Sequence, residues 1–413
     1  MSSTVGVKLA DLCHLVSVQV NPQATPVLPY IGLEHVPPGR FCTLATGVAS
    51  DALSAKFLFQ AGDILYNKLR PYLDKAVLTD GAGVCTTELL VLRPKAGIDS
   101  RYIACVVHSP AFIDHAMSGV TGAHHPRTSW HHISQFTFSA HSKDERHGIA
   151  DLMFQVHALL LISETACRTA MQIKQAAMAS LFTRGLRGEA QKETEIGRVP
   201  ESWSVSALGR IASLERGRFT HRPRNEPRFY GGNTPFVQTG DVVRSQGLIR
   251  TFSQSLNENG VAISRVFPAG TILITIAANI GYCGVLTFDC ACPDSLVAIS
   301  PRAGIDNAFL KYWLQTQQPS MDRQASKGIQ KNINIQFLKP WPVVVPELEE
   351  QVEIAKVLGT IDRKIALHQQ KRAVLEDLFK ALLHKLMTGE IDVNALDLQA
   401  LSAHEPAIEA SPA

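Results

Sequence analysis

A chain of 413 residues with 45% hydrophobic residues has material for two or more domains with real cores. A mean hydropathy of +0.03 points to a soluble globular protein. No apolar run of membrane-spanning length is read, and the opening Met1-Ser-Ser-Thr-Val lacks a signal-peptide pattern, so a cytoplasmic, reduced setting is expected. The net charge of +3 is too mild to mark a nucleic-acid binder, so the local distribution of charge has to decide.

In chain order, residues 5–18 alternate partly and lead into the Pro-rich loop 21–26. Residues 27–36 read as a strand stopped by Pro37-Pro38-Gly39. After the turn Ala61-Gly-Asp63, residues 64–71 read as a strand, and residues 76–79 and 88–94 as two more. Residues 100–117 read as a helix with Ile103, Val106, Val107 and Phe112 inward. Residues 119–132 form a polar loop, and 133–140 a last short strand.

The stretch 143–187 then carries Ile149, Met153, Val156, Leu160, Ala170, Ala177 and Leu181 at heptad spacing, with Ser163 and Cys167 in the middle slots. Residues 188–194 are a charged linker, and a second domain opens at Val199-Pro-Glu-Ser-Trp203. Its pieces answer those of the first domain. Pro235–Val242 matches Pro29–Val36, the strand after Pro268-Ala-Gly270 matches the one after Ala61-Gly62, and Gly284-Val-Leu-Thr287 matches Ala76-Val-Leu-Thr79. Residues 295–306 match 88–99.

The chain closes on 347–388, where Ile354, Leu358, Ile361, Ile365, Leu375, Phe379, Leu382 and Leu386 make a second seam interrupted by His368 and Arg372. A period of 3.5 residues predicts supercoiling against another helix, and at ~1.5 Å per residue the helix would run on the order of 60 Å. The domains expected are therefore 1–142, a long helix 143–187, a linker 188–198, a second domain 199–346, a second long helix 347–389 and a disordered tail 390–413. The fold class is mixed α/β: two similar globular domains separated by two long antiparallel coiled-coil helices, with an internal pseudo-two-fold repeat. Duplex DNA shares that symmetry, and two unlike domains would read two unlike half-sites.

The ordered duplicate, the Val199-Pro-Glu-Ser-Trp203 opening, Glu88-Leu-Leu-Val-Leu-Arg-Pro94, Gly328-Ile-Gln-Lys-Asn-Ile-Asn334 and Val345-Pro-Glu-Leu-Glu-Glu-Gln351 resemble the specificity subunit of type I restriction–modification systems over about residues 5 to 390. The resemblance implies two target-recognition domains, each reading one part of a split double-stranded DNA site. It implies helices that bind two modification (adenine methyltransferase) subunits, with restriction subunits joining for cleavage. S-adenosylmethionine, ATP and Mg would belong to those partners, with no cofactor in this chain. The first half departs from the pattern, with Gly122-Ala-His-His-Pro-Arg-Thr128 and His141-Ser-Lys-Asp144 at the places of the second half's motifs.

Candidate DNA contacts follow from local charge. Arg216, Arg218, Arg222, Arg224 and Arg228 share one Gly- and Pro-punctuated stretch suited to phosphates or guanine edges, the alternative being a solvated loop. Alternation along 66–75 puts Lys68 and Arg70 on one strand face, with Lys75 following and Tyr66 and Tyr72 interleaved, the alternative being an ordinary exposed face. Matched loops hold His124, His125 and Arg127 in one half and Lys327, Gln330, Lys331 and Asn332 in the other. His124, His125, His131 and His132 have no Cys or carboxylate at ligand spacing, and the eight Cys are scattered, so no metal site is expected. No phosphate-binding G-x-x-x-x-G-K-[ST] loop, [DN]-P-P-[YF] methyltransferase clamp or P-D…[DE]-x-K nuclease set is present, so no catalytic residue is assigned. Two other classes stay open from sequence: a self-contained methyltransferase or nuclease with degenerate motifs, and a scaffold that binds only protein.

Overall fold

The computed structural model describes residues 6–122, 124–221, 223, 225–325 and 332–396. It is mixed α/β and divides into two compact units, Met1–Ala166 with His368–Ala413, and Cys167–Leu367. Both divisions fall inside the long helices Lys143–Arg184 and Leu348–Thr388, so each unit takes part of each helix.

In the first unit an antiparallel sheet runs Cys13–Val16, Leu89–Pro94, Ile64–Asn67, Ala76–Leu78. Its central strand shows why an unbroken apolar run forms here: successive side chains point to opposite faces, and both faces are covered. Leu90 and Leu92 join Ile64 and Tyr66 in a core with the helices Ser100–His108 and Pro110–Ser118. Leu89 and Val91 face Ile31 and Phe59 of a second sheet, ordered Gln19–Val20, Lys56–Phe59, Gly83–Cys85, Pro29–Ile31, Gly47–Val48. The helix-side core also takes Ile149, Met153 and Val156 from the first long helix and Phe379, Leu383, Leu386 and Met387 from the second. Arg40 bridges the two helices, 2.5 Å from Glu164 and 3.2 Å from Glu376.

The second unit has a sheet ordered Ala212–Arg216, Leu296–Pro301, Ile272–Thr275, Cys283–Leu286, Leu248–Ile249, backed by the helix Asn307–Ala325. A four-stranded sheet centres on Tyr230–Phe236. Phe182, Trp203, Phe309 and Trp313 pack with Ile354 and Leu358 against Ile272, Ile274, Val297 and Ile299 of the five-stranded sheet. The motif residues at the start of the second long helix have structural duties. Buried Glu350 accepts from the Leu186 amide at 2.8 Å and from Trp203 Nε1 at 3.1 Å, tying the end of the first helix to the start of the second. Gln351 accepts from Asp306 N and donates to the carbonyls of Gly304 and Pro346.

The expected seam residues Ile149, Met153, Val156, Leu160, Ile354, Leu358, Ile365, Leu375, Phe379 and Leu386 are buried, and Leu181, Ile361 and Leu382 are half-buried. At the weak centre of the seam, Ser163 Oγ donates to the His368 carbonyl at 3.3 Å, which satisfies a buried hydroxyl without an apolar partner.

Several local expectations are corrected. The single helix over 100–117 is two, because Pro110 offers no amide and Ser109 caps the second helix through Phe112 N. Residues 188–198, expected as a plain linker, carry most of a hairpin of Gln191–Thr194 with Gly197–Pro200, whose turn is eased by Gly197 at φ +103. The strand expected over 133–140 shrinks to Thr137–Ser139, behind the short helix Trp130–Ile133. The first long helix contains an 18-residue window of mean hydropathy 1.3, long and apolar enough to cross a bilayer by length and composition, against the expectation of no such run; 44% of that window is buried in the protein.

His157 lies on the first long helix against Phe41, Phe154 and Phe379, with Nε2 accepting from the Phe41 amide at 3.2 Å. Burial, with the charges of Arg40 and His108, pushes its pKa down to about 4. An unfolded chain takes up this proton as pH falls through about 6.5, whereas the folded unit resists until about 4, so stability is lost as pH falls across that window. Chemical denaturation of His157→Gln should lose roughly 2–3 kcal/mol less than the parent between pH 7 and 4.5. Glu350→Ala should cost roughly 2–4 kcal/mol in urea melts at pH 7, with Glu350→Gln in between, because the buried Trp203 indole and the part-buried Leu186 amide lose their acceptor.

Candidate nucleic-acid interface

In the first unit the sequence candidates gather where the strand Ile64–Asn67 ends. The strand is shorter than the sequence suggested: the Asn67 side chain accepts from Leu69 N at 3.0 Å and donates to Leu69 O at 2.7 Å, turning the chain off the sheet. Lys68 and Arg70 therefore do not share a strand face but sit on a loop. Leu69 pairs with Arg127 in an isolated antiparallel bridge, Arg70 N donates to Pro126 O at 2.7 Å, and Thr128 N donates to Lys68 O at 3.0 Å. Loop 119–129 is thus stitched to this tip, bringing Arg127 beside Lys68 and Arg70, with His124 and His125 exposed on the same loop.

The charges differ in availability. Lys68 Nζ donates to Thr87 O at 2.8 Å, and Arg127 forms a two-pronged pair with Glu88 at 3.0 and 3.4 Å. The exposed Arg70 guanidinium makes no ion pair among the described residues. Lys75 is half-buried, its Nζ on Leu33 O at 2.9 Å, so it braces the fold. Of the two tyrosines, Tyr72 is exposed but Tyr66 is a core ring against Phe112, and burial pushes its phenol pKa up. His132 is also occupied: it stacks on His115 at 4.4 Å, each Nε2 on the other's carbonyl, while His131 is exposed.

In the second unit, the arginine-rich stretch is partly braced. Arg216 Nε donates to Asp294 O at 2.6 Å, Arg218 donates to Ser264 O at 2.8 Å, and Arg228 pairs with Glu226 at 2.7 Å over the Phe229 ring. Arg222 and Arg224 lie outside the described residues, as do Lys327, Gln330 and Lys331. Asn332 is exposed and bridges Ala277 just after the strand Ile272–Thr275. Ala278 and Asn279 are exposed beside it, with Tyr282 close behind. Charge-based reasoning passed over those three; the correspondence between 64–74 and 272–282 would have pointed to them.

Residues 200–377 match the family model for the type I restriction modification DNA specificity domain. The chain is 28% identical over 210 residues, 48% of each chain, to the type I restriction enzyme MjaIX specificity subunit of Methanocaldococcus jannaschii. The chain spans about half the length of the curated relatives it matches. A solved type I restriction–modification S subunit from M. genitalium has the same fold at TM-score 0.63 and 13% identity, covering 93% of this chain and 96% of that one. A structure described as the basis of complex assembly and conformational transition of the type I R-M system aligns at TM-score 0.58 and 20% identity, covering 94% and 98%. The chain is thus similar in sequence, over about half its length, to specificity subunits of type I restriction–modification systems, and it shares the fold of the solved S subunit.

Proposed function

We propose that this chain gives a type I restriction–modification complex its DNA sequence specificity. Each unit reads one half of a bipartite, asymmetric duplex site. The long helices, acting as an antiparallel coiled coil, set the number of base pairs between the halves and dock two modification subunits, with restriction subunits joining for cleavage. The division of the protein into domains and helices follows the duplicated plan of its sequence, and its place of action is the cytoplasm. The observation that carries this reading is the loop-stitched tip that ends a strand in each unit with different side chains, within a chain that holds the specificity domain. Two heads with one backbone plan and unlike residues are what an asymmetric site requires.

The helices also support docking. In the first unit Val374 and Leu378 are exposed apolar residues one turn apart on the second long helix, and in the second unit Ile173 and Leu367 are exposed on the two helices. A base must leave the duplex before it is methylated, so this chain would position DNA for a partner's pocket and do no chemistry itself. S-adenosylmethionine, ATP and Mg belong in this scheme to the partners.

Methylome sequencing of the host should show a bipartite methylated motif that disappears when this chain is deleted; persistence of the motif overturns the reading. Adding one heptad to each long helix should lengthen the spacer by about three base pairs, from ~10 Å of added helix, and leave both half-sites unchanged. Glu88→Gln should release Arg127, raising affinity for random duplex a few-fold at low salt and steepening the salt dependence by about one phosphate contact, as read by titration of the co-expressed complex.

A further inference from the structure

The strands Ile64–Asn67 and Ile272–Thr275 end in the same backbone device, each within its own unit. Three residues past each strand, Arg70 takes φ +53 and Ala278 takes φ +60. Each turn is fixed from two sides. Lys68 N donates to Glu88 O and Ile276 N to Ser295 O; Thr128 N donates to Lys68 O and Ile333 N to Ile276 O. The bridges Leu69 with Arg127 and Ala277 with Asn332 complete the match.

A left-handed residue other than glycine costs roughly 1–3 kcal/mol. Asn or Asp offsets part of that cost with a local hydrogen bond, whereas arginine has no such device. The strain alone does not single out Arg70, since Ala278 carries it too; what sets Arg70 apart is the guanidinium it presents. Lys68 and Arg127 have spent donors on Thr87 O and Glu88, while Arg70 presents its guanidinium from an over-determined backbone. A phosphate contact needs only a charge within reach, and a flexible loop would serve. A forked contact to a base edge needs a fixed origin.

We infer that Arg70 reads a base edge in the half-site of the first unit, and that the base is guanine, whose O6 and N7 accept the two-pronged guanidinium. At the matching tip of the second unit Ala278 offers no donor, and the exposed Asn332 is the residue type that pairs with adenine. This assignment rests on the DNA-reading function proposed above and specifies which chemistry one head uses.

The test is selection of bound duplexes from a random library by the full chain co-expressed with its modification partners, followed by sequencing. The parent should select a guanine at a position that Arg70→Ala and Arg70→Gly make indifferent, with discrimination falling roughly 10- to 100-fold there and the other half-site unchanged. Ala278 shows that alanine fits this backbone, and Arg70→Gly should melt no lower than the parent because it removes the strain. Arg70→Lys should keep most of the affinity and lose the guanine preference. A uniform loss across all sequences with the consensus intact, or no change, overturns the assignment and leaves the proposed function standing. A parent complex without any sequence preference overturns that function, and the assignment with it.

Discussion

Helices of 42 and 41 residues carry more apolar surface than one small domain can cover, and an uncovered seam would associate with anything apolar. The protein meets this constraint by building part of each long helix into each core. The first unit has no complete helix-side core without Phe379, Leu383 and Leu386, and the second lacks its own without Phe182. Polar ties then fix the pairing where apolar packing alone would tolerate sliding. Arg40 spans Glu164 and Glu376 in one unit; Lys174 and Tyr312 share Asp362 in the other. The second tie has a counterweight: Lys311, also facing Asp362 at 3.8 Å, is buried enough that its pKa is pushed down to about 8 despite that carboxylate. Such groups fix register more than they add stability.

The tips follow a different logic. Beyond the Asn67 turn, their backbones are held by a handful of main-chain hydrogen bonds that are the same in both units although the side chains differ. Lys68 and Ile276 occupy matching places, the first half-buried and reaching a carbonyl, the second in the core. The same frame thus carries a lysine in one unit and a core isoleucine in the other.

Much of this was legible in the sequence. Heptad spacing located both long helices to within a few residues at either end, because seam burial leaves a periodic record that survives Ser163 and Arg372. The central strands were legible for a related reason: being covered on both faces, they read as unbroken apolar runs. Loop geometry was not. Alternation was carried past Asn67 because nothing in a residue-by-residue pattern reveals that an asparagine side chain will close on Leu69 and end the strand. Counting arginines likewise did not reveal how Arg216 and Arg218 are held, since the carbonyls that accept from them come from residues 294 and 264. Long-range acceptors of that kind leave no local trace.

The first unit is discontinuous along the chain: its two segments are separated by about two hundred residues that belong to the other unit. During synthesis, at roughly 5–20 residues per second, the early segment waits on the order of 10–40 s before Phe379 and its neighbours leave the ribosome. Over that interval Ile149, Met153 and Val156 lack the second helix's share of their core, while the second unit, contiguous in sequence, is free to close first. Completion of the first unit's core is therefore the last step that the chain's own order of synthesis permits, although its first residues are the earliest made.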